Sequence, residues 1–238
     1  MNPVLVADSV SKRFGARRVL TSASLRAVPG ELRVLFGRNG EGKSTLLRIA
    51  AGLIAPDSGA VRFGKKVRLS WRLDQLAAEG LFFLPDYDLF SRAFTVRTQL
   101  KMIQQQYNGG DVVEAAERLG VGEHLDKKPY EMSGGELRRM EVAAVFVRRP
   151  ICFLADEPYR GVAPVIAERL TQAFRDLAAE GIAVVVTGHE VPTLLAAADH
   201  VTWSTSGTTY ELGPPASAER HETFRREYLG SWNVRNIE

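Results

Sequence analysis

The stretch Gly37-Arg38-Asn39-Gly40-Glu41-Gly42-Lys43-Ser44-Thr45 constrains the fold more than any other in these 238 residues. An apolar run, Leu32 to Phe36, precedes it, and Leu46-Leu47-Arg48-Ile49-Ala50-Ala51 follows. The pattern reads strand, glycine-rich turn, helix, and the spacing G-x-x-x-x-G-K-S is that of a phosphate-binding loop. Glycine admits backbone dihedrals closed to other residues, so successive N–H groups can converge on an anion. A helix beginning at Lys43 adds the positive end of its dipole. Lys43 is placed to reach the β- and γ-phosphates of a nucleotide, and the Ser44 hydroxyl to bind Mg²⁺.

A chain of this length forms one large domain, or one core with a smaller inserted lobe. Its net charge of +3 is slight and gives no basis for a nucleic-acid partner. The basic pairs Lys12-Arg13, Arg17-Arg18 and Arg138-Arg139 read as solvated faces. The single cysteine, Cys152, excludes an internal disulfide framework. It lies in an apolar run and reads as core packing. Asp8 and Lys12-Arg13 interrupt the start, so no signal peptide is expected. No apolar run approaches the roughly 18 residues of a membrane span. Work at a membrane would therefore need a partner that spans it.

Val4-Leu5-Val6-Ala7 and Leu25-Arg26-Ala27-Val28 read as strands flanking a basic hairpin region that contains Phe14. Short strands are expected again at Ala60–Phe63 and Val67–Ser70, after turns at Gly52, Pro56-Asp57 and Ser58-Gly59. Leu81–Leu84, ended by Pro85, reads as a buried strand. Thr95–Tyr107 and Asp111–Leu119 read as helices, with Asp111 an N-cap. No strand signal returns before Ile151, so residues 86–150 are expected to form a helical lobe inserted into an α/β core. Within it, Ser133 and Glu136 form a capping box ahead of a helix to Arg148. The intervening Gly134-Gly135 makes bare N–H groups at a helix N-terminus, a second anion site. Local chemistry leaves both readings open. Ile151–Ala155 is a buried strand with Asp156-Glu157-Pro158 at its carboxyl end, where ligands of open α/β sheets bind. Two carboxylates there can divide the work, one toward Mg²⁺ and one toward water. A helix from Pro164 to about Glu180 leads to a strand at Ile182–Val186, and His189 just beyond it can share the same sheet edge. A helix at Val191–Ala198, a strand pair near Val201–Trp203 and Thr209–Leu212, and a charged helix from about Glu219 complete the chain.

Taken together and in this order, these motifs resemble those of the ATP-binding cassette (ABC) ATPases, and the resemblance covers essentially the whole chain. It implies an α/β fold: a P-loop NTPase core with a mixed central sheet, an N-terminal antiparallel β subdomain and an inserted helical subdomain. It implies ATP and Mg²⁺ as ligands. Phe14 sits where the family's adenine-stacking aromatic lies. Gly37, Arg38, Asn39, Gly40, Glu41, Gly42, Lys43, Ser44 and Thr45 correspond to the phosphate loop. Ser133, Gly134, Gly135 and Glu136 correspond to the signature, written M-S-G-G-E where L-S-G-G-Q is usual. Ser44, Asp86 and Asp156 are the implied metal ligands, Lys43, Glu157 and His189 the implied catalytic groups. Family members pair head-to-tail, so the signature of one subunit caps the ATP held by the other. The resemblance thus implies a homodimer or a pair with a similar ATPase subunit. It also implies an integral membrane transporter subunit docking near Asp86–Thr95, with Phe90 and Phe94 as candidate apolar contacts or lobe core. Membrane contact would be made only through that partner, at the cytoplasmic face of the inner (plasma) membrane.

Three residues depart from the family pattern. Asp86 stands where glutamine is usual, keeping an oxygen ligand but adding a charge. Ala163 stands where the cross-dimer loop usually ends in aspartate, and Glu136 replaces the signature glutamine. Lys43, Asp156 and Glu157 are retained, so ATP hydrolysis is expected. The segment Phe224–Gly230 is similar to the ending of ATPases in the branched-chain amino-acid import and lipopolysaccharide-export branch. The alternatives are a soluble, non-transport cassette ATPase and a regulatory ATP binder with weak turnover.

Overall fold

A computed structural model describes residues 2–230. Ten strands form one mixed sheet in the order β5-β4-β1-β2-β10-β9-β3-β8-β7-β6. β1 (Leu5–Phe14) pairs antiparallel with both β2 (Arg17–Ala27) and β4 (Ser58–Phe63), and β4 pairs antiparallel with β5 (Lys66–Arg68). β3 (Leu32–Phe36), β6 (Leu81–Leu84), β7 (Cys152–Ala155), β8 (Ala183–Thr187) and β9 (His200–Thr205) run parallel, and β10 (Thr208–Gly213) returns antiparallel to β9.

The central parallel strands β3, β7 and β8 are largely apolar because each of their faces meets a core. Leu32, Val34 and Phe36 of β3, Phe153 and Ala155 of β7, and Val184 and Val186 of β8 enter one core with the helices α3 (Val96–Tyr107), α4 (Val112–Arg118), α5 (Gly134–Arg148) and α6 (Pro164–Ala179). The alternate residues Leu35, Cys152, Leu154, Ala183 and Val185 enter a second core around α1 (Lys43–Ala50) and the antiparallel strands. Period-two alternation under two-sided burial produces this division. Cys152 is fully buried, and burial pushes its thiol pKa far up, which leaves it inert.

Between β6 and β7 the chain is helical. α5 packs against α3 and α4 on one side and against α6 and β6 on the other. Thr95 caps α3 through Thr98 N–H, and Asp111 caps α4 through the N–H groups of Val113 and Glu114. Three local expectations are corrected. The first hairpin is longer than the apolar runs suggested, because polar residues on its solvent side alternate with Val10, Leu20 and Ala23 below, and Gly15 turns it at φ 57°. A short helix, α2 (Leu73–Ala78), follows β5, anchored by buried Leu76. The charged end is broken into α8 (Pro215–Arg220), a turn at Glu222–Phe224 and a π-helical turn at Arg225–Leu229; α7 (Val191–Ala197) precedes β9.

The register of the parallel strands sets the position of everything chemical. Leu35 pairs with Thr187, Val186 with Ala155 and Ala155 with Leu84. The carboxyl ends of four neighbouring strands are thus level, and the residues just past them, Gly37, His189, Asp156 and Asp86, share one sheet edge.

Candidate functional site

A cleft of about 860 Å³ opens at that edge. Asn39, Gly40, Gly42, Lys43, Ser44 and Thr45 form its floor, Asp86, Glu157 and His189 one wall, and Phe14, Arg17, Val19 and Ile54 another. Gly42 is the hinge of the loop. Its φ of 88° makes it the left-handed cap of α1, and an added Cβ would lie 2.5 Å from Leu20 Cδ2. Both the dihedral and the close approach require glycine. Phe14 is 48% exposed, so its ring is free to stack on a flat ligand.

Lys43 is buried, and its Nζ donates to Gly37 O at 2.8 Å and Arg38 O at 3.3 Å. Glu157 Oε1 lies 3.7 Å from the same ammonium and 3.2 Å from His189 Nε2. Burial draws the Lys43 pKa below its ordinary value, against the pull of Glu157 and Asp156. Burial pushes the Glu157 carboxyl up, against His189 and Lys43. Ser44 donates its hydroxyl to Asp156 Oδ1 at 2.9 Å, and Thr187 donates to the same oxygen at 3.1 Å. Thr187 also accepts the Glu157 N–H at 2.9 Å, so it holds both carboxylate-bearing residues in place.

Asp156 Oδ2 is buried and has no hydrogen-bond partner in the protein. An orphaned carboxylate oxygen beside a hydroxyl fits a hard divalent cation. Among the described residues no group of three or more His, Cys, Asp or Glu side chains forms a cage. Mg²⁺ needs none, since it completes its octahedron with water and phosphate oxygens. Asp86 is at hand but engaged: its Oδ1 accepts from Arg48 Nη2 at 2.8 Å, and its Oδ2 lies 3.7 Å from Arg160 Nη1.

Other expected residues lie elsewhere. Arg38 donates to the Glu227 carbonyl, and the Glu41 carboxylate accepts from Ser206 N–H, so both side chains serve the loop's surroundings. Ser133, Gly134, Gly135 and Glu136 do not line the cleft. They begin α5 with a reciprocal capping box, Ser133 N–H to Glu136 Oε2 at 2.8 Å and Glu136 N–H to Ser133 Oγ at 3.3 Å. A Cβ on Gly134 would meet nothing within 4 Å, so no packing inside the chain demands a glycine there. Phe90 is core, 6% exposed, which removes it as a surface contact, whereas Phe94 is 48% exposed. Sequence reasoning missed Thr187, Arg48 and Tyr228. Thr187 had a visible signal, a hydroxyl closing an otherwise apolar strand. Tyr228 packs its ring 5.7 Å from Phe36 at the root of the loop, and burial pushes its hydroxyl up to about 12.

The family model for ABC transporters matches residues 20–160, a span that includes Gly37–Thr45, Ser133–Glu136 and Asp156-Glu157. The chain belongs to the ABC transporter ATPase family. It is a nucleotide-binding ATPase. The lipopolysaccharide export system ATP-binding protein LptB of Acidithiobacillus ferridurans is 29% identical over 236 residues, covering 97% of this chain and 98% of that protein. The L-cystine import ATP-binding protein TcyC of Bacillus subtilis is 28% identical over 243 residues, covering 94% and 96%. The fold is that of an ATP-binding cassette of an ABC transporter, MJ1267, solved in its ADP conformation. That structure has a TM-score of 0.82 at 22% identity and covers 96% of this chain and 97% of its own. Among the described residues of this ABC ATPase no helix is long and apolar enough to cross a membrane.

Proposed function

We propose that this chain is the motor subunit of an ABC transporter, hydrolysing Mg²⁺-ATP as a head-to-tail pair and driving a separate transmembrane subunit from the cytoplasmic face of the membrane. One observation carries the reading. Lys43, Ser44, Glu157 and His189 converge on one cleft, with buried Asp156 hydrogen-bonded to Ser44 at 2.9 Å, while the signature Ser133–Glu136 lies outside it with Gly134 bare toward open space. A second copy supplies what one chain leaves incomplete: its helix tip brings unobstructed N–H groups and a dipole to the γ-phosphate.

In this reading Phe14 stacks on the adenine, and the loop amides with Lys43 hold the phosphates. Ser44 and Asp156 hold Mg²⁺, which neutralises charge developing on the phosphate oxygens. Glu157 orients the attacking water and accepts its proton, and His189 contacts the γ-phosphate. Residues 86–150 are proposed as the helical lobe that moves with the membrane partner, which docks around Asp86–Thr95 with Phe94 as its apolar contact. The relatives' printed names pair one export with one import system, and the substrate class follows neither.

The test is Glu157→Gln. It is expected to keep ATP binding, to lose turnover by roughly 100-fold or more, and to accumulate an ATP-dependent dimer in size-exclusion chromatography. A loss of only a few-fold, with no dimer, would give the catalytic carboxylate to another residue.

A further inference from the structure

Ser44 and Arg48 lie one helical turn apart on α1, so the helix that carries a proposed metal-binding hydroxyl also aims a guanidinium at the same place. Arg48 Nη2 donates to Asp86 Oδ1 at 2.8 Å and lies 3.8 Å from Asp156 Oδ2, the buried oxygen without a hydrogen-bond partner. Arg48 and Asp86 both line the cleft, with side chains 34% and 26% exposed. Arg160, 71% exposed, reaches the other Asp86 oxygen at 3.7 Å. Two carboxylates thus face one position, and a fixed cation stands between them. Two like charges in a partly dry cleft repel strongly. One guanidinium nitrogen, Arg48 Nη2, faces both charges, bonded to Asp86 and near Asp156.

We propose that Arg48 is a resident counter-ion which Asp86 exchanges for the nucleotide's divalent metal, so that Arg48 sets how strongly metal and nucleotide binding are coupled. The proposal rests on the motor reading above and adds a competition to it. Without metal, Asp86 is held on α1. With metal, Asp86 turns to the ion, and the loop after β6 is released from the phosphate-loop helix. A neutral side chain at position 86 would need no such partner. The aspartate and the arginine therefore form one device, and Arg48 is a positioning residue rather than a catalytic one.

The experiment measures the affinity of a fluorescent methylanthraniloyl-ATP in excess Mg²⁺ and in EDTA, and takes the ratio of the two dissociation constants. Linkage makes this ratio the coupling between metal and nucleotide. Arg48→Gln is expected to raise it roughly three- to tenfold, because Asp86 Oδ1 then loses its hydrogen-bond partner and only the exposed Arg160 competes with the metal. Asp86→Asn is expected to lower it by a similar factor, and the double variant to match Asp86→Asn. Arg48→Lys, which keeps the charge, is expected to stay near the wild-type ratio, and thermal melting checks that each variant is folded. An unmoved ratio in Arg48→Gln overturns the proposal, as does an equal Arg48 effect with and without Asp86. Wild-type protein that binds no nucleotide overturns the motor reading and this proposal together; wild-type binding with an unmoved ratio overturns this proposal alone.

Discussion

At Glu157 the backbone enters the left-handed region, φ 48°, which costs a non-glycine residue roughly 1–3 kcal/mol. The turn is held by the Glu157 N–H to Thr187 Oγ1 bond, and it aims the carboxylate at Lys43 and His189. Because burial raises its pKa, Glu157 keeps its proton to a higher pH than a free glutamate, and the proton-accepting form is gained as pH rises. The acid limb of a kcat profile is therefore expected above the ordinary carboxylate range, and Glu157→Gln is expected to abolish it with most of the turnover. A limb at the pH of an exposed carboxylate would contradict the assignment. Lys43→Ala removes the ammonium proposed to meet the phosphates and is expected to weaken ATP binding by roughly tenfold or more, read by equilibrium fluorescence titration. Gly42→Ala meets both a left-handed dihedral and Leu20 Cδ2. It is expected to lower the melting temperature as well as nucleotide affinity, and an unaffected protein would show the loop to be freer than its geometry. The identities of these residues were legible in the chain because phosphate chemistry imposes a local spacing. The ion pair of Arg48 with Asp86 was not, since its partners stand on α1 and after β6 and meet only through the sheet.

The helix α5 shows what an element adds to its residues. Its capping box, Ser133 with Glu136, follows from local sequence, and the structure makes both bonds. Glu141 in the same helix is 1% exposed; its Oε1 accepts the Leu89 N–H at 2.6 Å and its Oε2 lies 3.0 Å from Arg138 Nη1. Burial raises its pKa to about 7 in spite of both contacts. The folded state therefore holds a proton that the unfolded chain has released. The associated stability is fully present below the unfolded pKa, about 4.5, and is lost as pH rises through about 7. Between these limits the unfolding free energy is expected to fall by roughly 3 kcal/mol from this group. Glu141→Gln is expected to flatten that part of the curve in denaturant titrations at several pH values. A variant that keeps the full slope would place the buried proton elsewhere. Nothing in the local pattern of α5 announces Glu141, because the N–H that its carboxylate accepts belongs to Leu89, fifty-two positions away.

For the whole molecule, the arrangement of cleft and signature makes a statement about pairs. Lys43→Ala and Gly134→Val are each expected to abolish turnover as homodimers. In the proposed head-to-tail arrangement, a heterodimer of the two carries one doubly altered site and one intact site. Mixing the proteins is therefore expected to restore part of the ATPase activity and ATP-dependent dimer formation. Recovery of neither would count against composite sites. Gly134→Val is expected to melt close to wild type, since nothing lies within 4 Å of the added Cβ. By itself the sequence determined the glycine-rich turn between β3 and α1, the buried strands and the acidic pair after Ala155, because each is a local pattern read over a few residues. Tertiary structure decided what those patterns face. Parallel strands in matched register bring Gly37, Asp86, Asp156 and His189 to one edge, and they turn Asp86 toward Arg48. The reason is physical: spacing along a chain governs dihedrals and periodicity, whereas the field at a carboxylate depends on every charge that the fold carries to within a few ångströms of it.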